Sequence, residues 1–488
     1  MNVIFATSEI TPFARTGGLG DMVSALPKML NKSGQNCFVF LPKYNEIDDQ
    51  QFKIKSTGKR ISVNMSGKII NSEIFETVFG DGIPVYLLEN SDYFQRNGIY
   101  ESNNKEHPDN AERFAFFSKG CLCAIKELGI SPDIIHCHDW PTGLIPVYLN
   151  TDYRDDRYFD KTGTVFTIHN IVYQGVYDSH KMNTLGLPWD IFTPEGIEFY
   201  GKINLLKGGI AFADVITTVS KTYAMEMQTY EFGNGLDGIL RHRNNVLYGI
   251  INGVDYDIWN PENDSFIAKQ FTVHDLSGKS ECKEELLSIF NIKSDWDTPL
   301  IGMVSRLDEQ KGIDLLTDAI HDLMNLDVNI CLLGVGKEKY HRILMEIAEK
   351  YKEKIGIKIS FNNQMAHKIE AGSDIFIMPS KYEPCGLSQL YSLKYGTIPV
   401  VRNIGGLADT IKDYDQDNKC GNGFKFDKYS GMEFIKAIKR ALEVYKDKES
   451  WKKLMQNAMN EDFSWERSAR EYLELYKKVE ADHLQRLK

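Results

Sequence analysis

Residues 3–21 read VIFATSEITPFARTGGLGD, which joins a short apolar run to a glycine-rich turn. Val3 to Thr7 predicts a buried strand, because it is a continuous apolar run of strand length. The glycine-rich turn spans residues 15–21, and the segment from Asp21 to Ser33 predicts a helix after it. Because Pro27 fits the interior of a helix poorly, we expect this helix to be kinked or to start late. The stretch thus predicts a strand, a turn and a helix in direct succession.

The same alternation of short β-rich runs and longer helical patterns continues along the chain. Further strands are predicted in two groups, residues 37–41, 134–136, 164–168, 215–219 and 246–251 in the first, and residues 300–304, 329–333, 358–361, 375–378 and 398–401 in the second. Near-continuous apolar strands separated by helices indicate parallel sheets that are covered on both faces. The sequence therefore predicts an α/β protein with two doubly wound, Rossmann-like domains facing each other across a cleft, with ligands bound at the carboxyl ends of the strands.

A polar, turn-rich stretch at Asn260–Asp264 separates the two groups of strands. We therefore expect a first domain at residues 1–260 and a second domain at residues 261–465. The final segment, residues 466–488, is charged and amphipathic, and it predicts a terminal helix from Glu466 to Leu487 with no strand after it.

The composition is that of an ordinary globular protein. The chain has 488 residues and a net charge of −11 and shows no basic stripe, which argues against binding to nucleic acid or to a membrane surface. No apolar run approaches the ~20 residues of a membrane span. The eight cysteines are spread thinly without a Cys-x-x-Cys pair, and no charged leader precedes the first strand, so we expect a cytoplasmic protein.

The glycine-rich turn is the first candidate for ligand binding. Around Gly17 and Gly18 the backbone could come close to a ligand, because glycine has no side chain and a helix N-terminus offers unpaired N–H groups. A simple tight turn explains the same glycines equally well. The Gly-Gly-x-Gly spacing, with no acidic residue about 20 residues further on, does not match the dinucleotide fingerprint.

Two polar clusters follow predicted strands of the first domain, where parallel strands end at one edge of a sheet. Residues 136–140 (HCHDW) follow one strand, and residues 169–170 (HN) follow the next. Asp139 is the stronger functional candidate, whereas His136 is as easily explained as a packed, hydrogen-bonded side chain. Because no third cluster of ligands accompanies the histidines, no metal is predicted.

Charged residues follow strands of the second domain in the same way. Arg306 and Lys311 lie on a loop after the strand at 300–304, where they could bind a diphosphate or form a solvated charged turn. Glu383, in residues 383–387 (EPCGL), could hydrogen-bond sugar hydroxyls or cap the following helix. Cys385 has no neighbouring group that would activate it, so we expect it to pack as a small apolar residue.

In their order, these motifs strongly resemble those of the glycogen and starch synthases, glycosyltransferase family 5. The residues that carry the resemblance are 15–21 (RTGGLGD), 109–114 (DNAERF), 138–140 (HDW), 168–170 (IHN), 192–196 (FTPEG), 252–255 (NGVD), 305–312 (SRLDEQKG) and 383–387 (EPCGL). The resemblance covers nearly the whole chain. It implies the GT-B architecture of two Rossmann domains, with the C-terminal helix crossing back to the first. It also implies glucosyl transfer from ADP-glucose to the non-reducing end of an α-1,4-glucan such as glycogen, with retention of configuration and without a metal or cofactor.

The resemblance further implies a role for particular residues. Arg306 and Lys311 would neutralise the diphosphate leaving group, and Glu383 would hold the glucose. His169 and Asp139 would flank the glucose and the acceptor. Further substrate-binding positions are Arg15, Thr16, Gly17, Gly18, Asn252, Cys385, Gly386 and Leu387. Retaining enzymes of this architecture are usually viewed as using front-face departure, in which the diphosphate helps to deprotonate the acceptor hydroxyl.

Two positions depart from the family. The family usually has lysine where this chain has Arg15, and a smaller departure is Pro141 after Trp140. Two other functions compete with this one. A dehydrogenase that holds NAD between two Rossmann units is disfavoured by the missing acidic ribose residue and by the Arg306 and Lys311 pair. A noncatalytic glucan-binding relative is disfavoured because Glu383 accompanies both cations.

Overall fold

The computed structural model describes residues 1–103 and 105–486. Contacts divide this chain into two compact units. The first unit contains Met1–Gly253 and the segment that starts at Trp465, and the second unit contains Val254–Ser464. Each unit is an α/β body with its own sheet.

The sheet of the first unit has β1 at its centre. Over the described residues its strand order is β9-β8-β7-β6-β1-β2-β5-β4-β3. The strands are β1 Asn2–Ala6, β2 Asn36–Pro42, β3 Lys55–Met65, β4 Lys68–Phe79, β5 Ile83–Leu88, β6 Ile134–His138, β7 Gly163–Ile168, β8 Val215–Thr218 and β9 Leu247–Gly249. From β9 to β5 along this order the strands pair in parallel. The carboxyl ends of β1, β6 and β7 therefore lie side by side.

An antiparallel hairpin of β3 and β4 continues the sheet beyond β5, so the prediction of an entirely parallel sheet is wrong at this edge. Towards the end of β3, buried Ile61, Val63 and Met65 alternate with exposed residues. A strand with one face in solvent shows this alternation rather than a continuous apolar run. A search for apolar runs therefore misses it.

Helices cover the first sheet. They are α1 Gly18–Lys32, α2 Ser91–Phe94, α3 Asn110–Leu128, α4 Leu144–Asn150, α5 Lys181–Thr184, α6 Leu205–Phe212, α7 Lys221–Glu226 and α8 Asp237–His242. Short 3-10 turns lie at Trp140–Thr142, Trp189–Ile191 and Asn244–Val246, and short strands lie at Glu101–Ser102, Lys105–Glu106, Val176–Asp178, Glu198–Phe199 and Lys202–Asn204. The expected late start of α1 is wrong, because the helix begins at Gly18 and contains Pro27. Pro27 has no N–H to donate within the helix, and its ring is buried.

The second unit is built on a parallel sheet of order β12-β11-β10-β13-β14-β15 in the described chain. Its strands are β10 Leu300–Val304, β11 Asn329–Gly334, β12 Ile355–Ile359, β13 Ile375–Met378, β14 Ile398–Arg402 and β15 Phe424–Phe426. The helices are α9 Ser277–Ile289, α10 Ile313–Met324, α11 Glu338–Lys350, α12 Asn363–Gly372, α13 Ser388–Lys394, α14 Gly405–Thr410, α15 Gly431–Lys446 and α16 Lys448–Met459, with a 3-10 turn at Glu309–Lys311. The strand predicted at 358–361 is in fact β12 and ends at Ile359. The short edge strand β15 was not predicted.

The last helix, α17 Trp465–Arg486, belongs to the first unit. Its Tyr476 hydroxyl lies 2.7 Å from Nδ1 of His136 on β6. A Cβ atom on Gly163 would lie 2.3 Å from Cγ1 of Val479, so glycine at the start of β7 lets the helix pack closely. Leu487, at the predicted end of this helix, lies outside the described residues. Among the described helices, none has an apolar stretch long enough to cross a membrane.

Candidate functional site

The glycine turn between β1 and α1 presents an open backbone surface. Gly17 precedes α1 with φ −160° and has no side-chain cap. A Cβ atom added to Gly17 or to Gly18 would meet no atom of the described chain within 4 Å. Packing within the chain therefore does not require glycine at these positions, whereas the close approach of another molecule would.

A buried carboxylate holds this turn in place. Glu9 is 3% exposed. It accepts hydrogen bonds from the backbone N–H of Thr16, from the Thr16 hydroxyl at 2.7 Å and from the N–H of Gly17 at 3.1 Å. The Tyr100 hydroxyl also donates to it, at 2.7 Å. Because Glu9 engages the N–H groups of Thr16 and Gly17, a ligand would meet the glycine surface and the first N–H groups of α1 instead.

Tyr100 is fixed in turn by the start of α3. The side-chain amide of Asn110 donates to the Tyr100 carbonyl oxygen at 2.9 Å. The guanidinium of Arg113, which is fully buried, donates to the Ile99 carbonyl oxygen and to Oδ1 of Asn110, both at 2.8 Å. A chain of hydrogen bonds therefore runs from α3 through Tyr100 and Glu9 to the glycine turn.

Sequence reasoning missed Glu9 and Tyr100. Glu9 follows β1 at the same sheet edge as Asp139 follows β6, so the rule that selected Asp139 could have selected Glu9 as well. Tyr100 carries no such signal, because its hydroxyl reaches Glu9 only through the fold.

Arg15 lies on the outer side of the turn. Its Nη2 atom is 2.8 Å from Oδ2 of Asp21, and its side chain is 45% exposed. Burial raises the pKa of Asp21, whereas the Arg15 charge and a hydrogen bond from Thr11 lower it. Such an exposed ion pair contributes little to stability, so the guanidinium can exchange Asp21 for an anionic ligand at small cost.

Asp139 and His169 come together at the carboxyl ends of β6 and β7. Oδ1 of Asp139 accepts a hydrogen bond from the backbone N–H of His169 at 2.7 Å. Asp139 has φ +55°, a conformation that costs energy for a residue with a side chain. Nδ1 of His138 lies 3.2 Å from Nε2 of His169, so one imidazole donates to the other. An acid and two imidazoles therefore share one edge of the sheet.

The protonation of this cluster departs from ordinary values. Burial raises the pKa of Asp139 to about 8, although hydrogen bonds from the backbone of His169 and Asn170 lower it. Burial lowers the pKa of His169 to about 3 and holds that of His138 well below its usual range. Near neutral pH both imidazoles are therefore uncharged, and Asp139 titrates instead.

His136, by contrast, is a core residue. Its side chain is fully buried, Nδ1 lies 2.7 Å from the Tyr476 hydroxyl, and Nε2 lies 2.5 Å from the Thr167 hydroxyl. Both ring nitrogens are thus occupied within the first unit. Of the two interpretations of His136, packing is the one that the structure supports.

Asn252 lies at the end of the first unit with an unsatisfied acceptor. It is 4% exposed, and its Oδ1 atom has no hydrogen-bond partner within the described part of the chain. Buried polar atoms are nearly always paired, so this oxygen is suited to accept a hydrogen bond from a bound molecule.

In the second unit, Lys311 and Glu383 form a direct pair. Nζ of Lys311 lies 2.6 Å from Oε2 of Glu383, and the Ser380 hydroxyl donates to the same oxygen at 3.0 Å. Glu383 is 4% exposed. Helix α13 begins at Ser388 with Leu387 as its N-cap and no side-chain cap bond, so Glu383 does not cap it.

Arg306 lies nearby on the loop after β10. Its guanidinium contacts Oδ2 of Asp308 at 3.0 Å and Oε1 of Gln310 at 2.7 Å, and its side chain is 51% exposed. Asp308 also accepts the backbone N–H of Lys311 at 3.1 Å. The loop therefore holds both cations at the carboxyl edge of the second sheet, Arg306 towards solvent and Lys311 beside Glu383.

The loop 383–387 borders a small cavity. Cys385 is 6% exposed and packs, as expected from the sequence. Gly386 has φ +73°, and a Cβ atom there would lie 2.4 Å from Oε1 of Gln389, so only glycine fits. The cavity has a volume of about 120 Å³, and its lining includes Ser305, Lys311 and Leu387. In the described residues no group of three or more His, Cys, Asp or Glu side chains is arranged to hold a metal ion.

Comparison with known families agrees with this architecture. Residues 2–242 match the family described as starch synthase catalytic domain, and residues 287–458 match the family described as glycosyl transferases group 1. A glycosyltransferase with two α/β units, each built on a largely parallel sheet, is therefore the class of protein to which the chain belongs.

Individual relatives place the chain more narrowly. It is 47% identical to a protein described as glycogen synthase from Geotalea daltonii, over 98% of this chain and 99% of the relative. It is 46% identical to the glycogen synthase of Thermosipho africanus and 45% identical to that of Thermotoga maritima, with the same coverage. The chain belongs to the glycogen and starch synthase family.

Solved structures show the same relationship. The catalytic domain of starch synthase IV from Arabidopsis thaliana, bound to ADP and acarbose, is 34% identical with a TM-score of 0.90, over 98% of this chain and 99% of that one. Sucrose-phosphate synthase from Thermosynechococcus elongatus, 15% identical with a TM-score of 0.61 over 99% of both chains, shares the fold.

Proposed function

We propose that the protein transfers glucose from ADP-glucose to the non-reducing end of an α-1,4-glucan, with retention of configuration. The observation that carries this proposal is the buried pair of Lys311 and Glu383, 2.6 Å apart, with Arg306 on the same loop. A cation beside a carboxylate suits a sugar diphosphate, because the carboxylate accepts from sugar hydroxyls while the cation pairs with phosphate.

The cations would act on the leaving group. As the bond between glucose and diphosphate breaks, negative charge grows on the phosphate oxygens, and positive groups already in place stabilise it without reorganisation. Lys311 would change partner from Glu383 to the phosphate, which frees an oxygen of Glu383 for the glucose hydroxyls. Arg306 would add a bidentate contact.

The nucleotide base would lie further along the sheet edge of the second unit. Phe361 is 79% exposed and follows β12, two strands away from the strand that carries Arg306. An exposed aromatic ring at the carboxyl edge of a parallel sheet offers a stacking surface for a purine. Phe361 thus offers a surface on which the nucleotide base can stack.

The first unit would bind the sugar and the acceptor. The open backbone at Gly17 and Gly18 would contact the donor, and Arg15 would pair with its phosphate. Asp139 and His169 would flank the glucose and the acceptor hydroxyl, and the unpaired oxygen of Asn252 would accept from the sugar. Neutral imidazoles fit this role, since they can hydrogen-bond to hydroxyls and orient them without placing a further charge beside the leaving group.

Retention without a carboxylate nucleophile would proceed by front-face departure. The acceptor hydroxyl attacks on the side from which the diphosphate leaves, and a phosphate oxygen takes its proton. In this mechanism the protein contributes positioning and charge stabilisation.

A transfer assay tests the proposal. Glycogen is incubated with ADP-glucose or UDP-glucose that carries labelled glucose, and incorporation is measured. We expect label to enter glycogen from ADP-glucose faster than from UDP-glucose and to be released as maltose by β-amylase, which shows α-1,4 linkage at the non-reducing end. Binding of glycogen without incorporation would instead support a noncatalytic glucan-binding protein. The cytoplasmic location stays a prediction of the cysteine pattern.

A further inference from the structure

A buried glutamine, Gln389 on α13, holds the backbone of the loop 383–387 through its side-chain amide. Gln389 is fully buried, and its Nε2 atom contacts the carbonyl oxygens of Cys385 at 3.1 Å and of Gly386 at 3.0 Å. It also lies 3.3 Å from the hydroxyl of Thr410 on α14. One side-chain amide therefore engages two successive backbone carbonyls of the loop.

Helix α14 also holds the start of this loop, by a backbone hydrogen bond. The N–H of Gly406 donates to the Glu383 carbonyl oxygen at 3.0 Å. A Cβ atom on Gly406 would lie 2.0 Å from the Cys385 carbonyl oxygen, so α14 can approach the loop only with glycine there. The Thr410 hydroxyl, in contact with Gln389, donates to the Gly406 carbonyl oxygen at 2.7 Å. Gln389, Thr410 and Gly406 thus form one connected support.

The orientation of the carbonyls fixes the orientation of the N–H groups. In a trans peptide the C=O of one residue and the N–H of the next point in opposite directions. When Gln389 holds the carbonyls of Cys385 and Gly386, the N–H groups of Gly386 and Leu387 must point to the other face of the loop. Gly386 has φ +73° and Leu387 has φ −117° and ψ −33°, a left-handed then right-handed pair that makes successive N–H groups converge on an anion.

We propose that Gln389 is a positioning residue for the donor: it directs the N–H groups of Gly386 and Leu387 at the diphosphate, in the cavity that Lys311 and Leu387 line. The proposal rests on the proposed function, since it assumes a nucleotide diphosphate ligand. Within the described residues the side-chain amide of Gln389 hydrogen-bonds to the loop and to Thr410 on α14, so we expect it to act on the donor through the loop.

The test compares Gln389→Leu with a matched control on the same helix. Leucine has a similar volume but no donor, so the loop loses both contacts. Ser392→Ala also removes buried hydrogen bonds from α13, to Glu370 at 2.6 Å and to the Ser388 carbonyl at 2.9 Å, but none to the loop. ADP binding is measured by calorimetry, together with KM for ADP-glucose, KM for glycogen and Tm.

We expect Gln389→Leu to weaken ADP binding and to raise KM for ADP-glucose by roughly ten- to a hundredfold, the effect of a binding group displaced by about 1 Å. KM for glycogen should change little. Ser392→Ala should lower Tm but keep the ADP affinity of the parent. Gln389→Leu with ADP affinity within twofold of the parent, or a loss of the same size in Ser392→Ala, would overturn the proposal.

A second variant keeps the test decisive if Gln389→Leu does not fold. In Gln389→Glu the charged carboxylate repels both carbonyls, whereas the protonated acid can donate to one of them. ADP affinity relative to the parent should therefore recover as the pH is lowered from 8 to 6. A ratio that stays constant with pH overturns the proposal. Failure of the parent itself to bind ADP or to transfer glucose would instead reject the proposed function.

Discussion

Nζ of Lys311 lies 2.6 Å from Oε2 of Glu383, although the two residues are 72 positions apart in the chain. Their side chains are 18% and 5% exposed, so the pair is largely removed from water. Breaking such a pair leaves a buried charge without its partner, which is costly unless a ligand supplies an anion for the lysine and hydrogen-bond donors for the carboxylate. The pair is therefore suited to a ligand that carries both phosphate and hydroxyl groups.

This geometry predicts a large loss of turnover in Lys311→Ala. Removal of a preorganised charge typically lowers kcat by about 100- to 1,000-fold. The variant should also melt at lower temperature, because Glu383 loses its cation. Lys446→Ala, which removes an exposed lysine paired with Glu443, serves as the control and should match the parent. An effect of Lys311→Ala confined to KM for glycogen would contradict the assignment.

The raised pKa of Asp139 predicts an unusual dependence of protein stability on pH. Its pKa is raised to about 8 in the fold, above the unfolded value near 4. The folded protein therefore holds a proton that the unfolded chain has lost, and this contribution to stability is full below about pH 4 and is lost as the pH rises towards 8. Asp139→Asn cannot ionise. We expect it to raise Tm relative to the parent more at pH 8 than at pH 5, while activity falls.

Thermal melts of both proteins at the two pH values check this prediction. A gain in Tm that is the same at pH 5 and pH 8 would show that Asp139 does not titrate in this range. A gain in stability together with a loss of activity would mark Asp139 as a residue kept for function rather than for folding.

The alternation of strands and helices carries enough information to predict most of the fold. The strand at 300–304 and the strand at 375–378 coincide with β10 and β13, because each is an almost entirely buried apolar run. The hairpin of β3 and β4 was not predicted, since its polar face faces solvent and its sequence resembles a loop. Edge strands are defined by their neighbours more than by their own composition.

The residues of the candidate site likewise fall into those that the sequence predicts and those that it does not. Asp139, Arg306, Lys311 and Glu383 all lie at the end of a buried strand or on the loop after it, so the position of the strands helps to select them. Tyr100 and Gln389 could not be found like this, because each acts through backbone atoms or side chains that are distant in sequence. The direct pairing of Lys311 with Glu383 was equally hidden, since no spacing rule joins a loop after β10 to one after β13.

Substitutions of Arg15 test whether this side chain, which replaces the lysine usual in the family, contacts the donor. Lysine would keep the charge but lose the planar, bidentate contact of arginine. We expect Arg15→Lys to stay active with a modest shift and Arg15→Ala mainly to raise KM for ADP-glucose. Loss of a charge-assisted hydrogen bond costs about 1.5–3 kcal/mol, which corresponds to a change of roughly ten- to a hundredfold in kcat/KM. Kinetics of Arg15→Ala like those of the parent would mean that Arg15 pairs only with Asp21.

Substitutions of Phe361 test where the nucleotide base binds. Stacking of a base on an aromatic ring contributes about 1–3 kcal/mol. Phe361→Ala should therefore raise KM for ADP-glucose by about five- to a hundredfold, and Phe361→Tyr should preserve it. Tm should hardly change in either variant, because the ring is 79% exposed. Steady-state kinetics with ADP-glucose at saturating glycogen decide the matter, and an unchanged KM in Phe361→Ala would place the base elsewhere.

Glu9 gives the most specific test of the glycine turn, because its carboxylate accepts from two backbone N–H groups and two hydroxyls. Leucine is of similar size but has no acceptor, so both N–H groups lose their partner. Each N–H left without an acceptor costs about 1–3 kcal/mol. We expect Glu9→Leu to lower kcat/KM for ADP-glucose by roughly ten- to a hundredfold while KM for glycogen changes less. Tyr100→Phe should have a smaller effect, since the turn keeps its other bonds to Glu9.

Because the Tyr100 hydroxyl donates to the Glu9 carboxylate that holds the turn, the variant with both substitutions should lose less than the sum of the two single losses, expressed as free energies from kcat/KM. Glu112→Leu is the matched control, at a largely buried glutamate of the same unit that pairs with Lys181. It should lose stability but keep the KM of the parent for ADP-glucose. Additive losses at Glu9 and Tyr100 would show that the two side chains act independently, and the hydrogen-bond chain from α3 to the glycine turn would then have no role in donor binding.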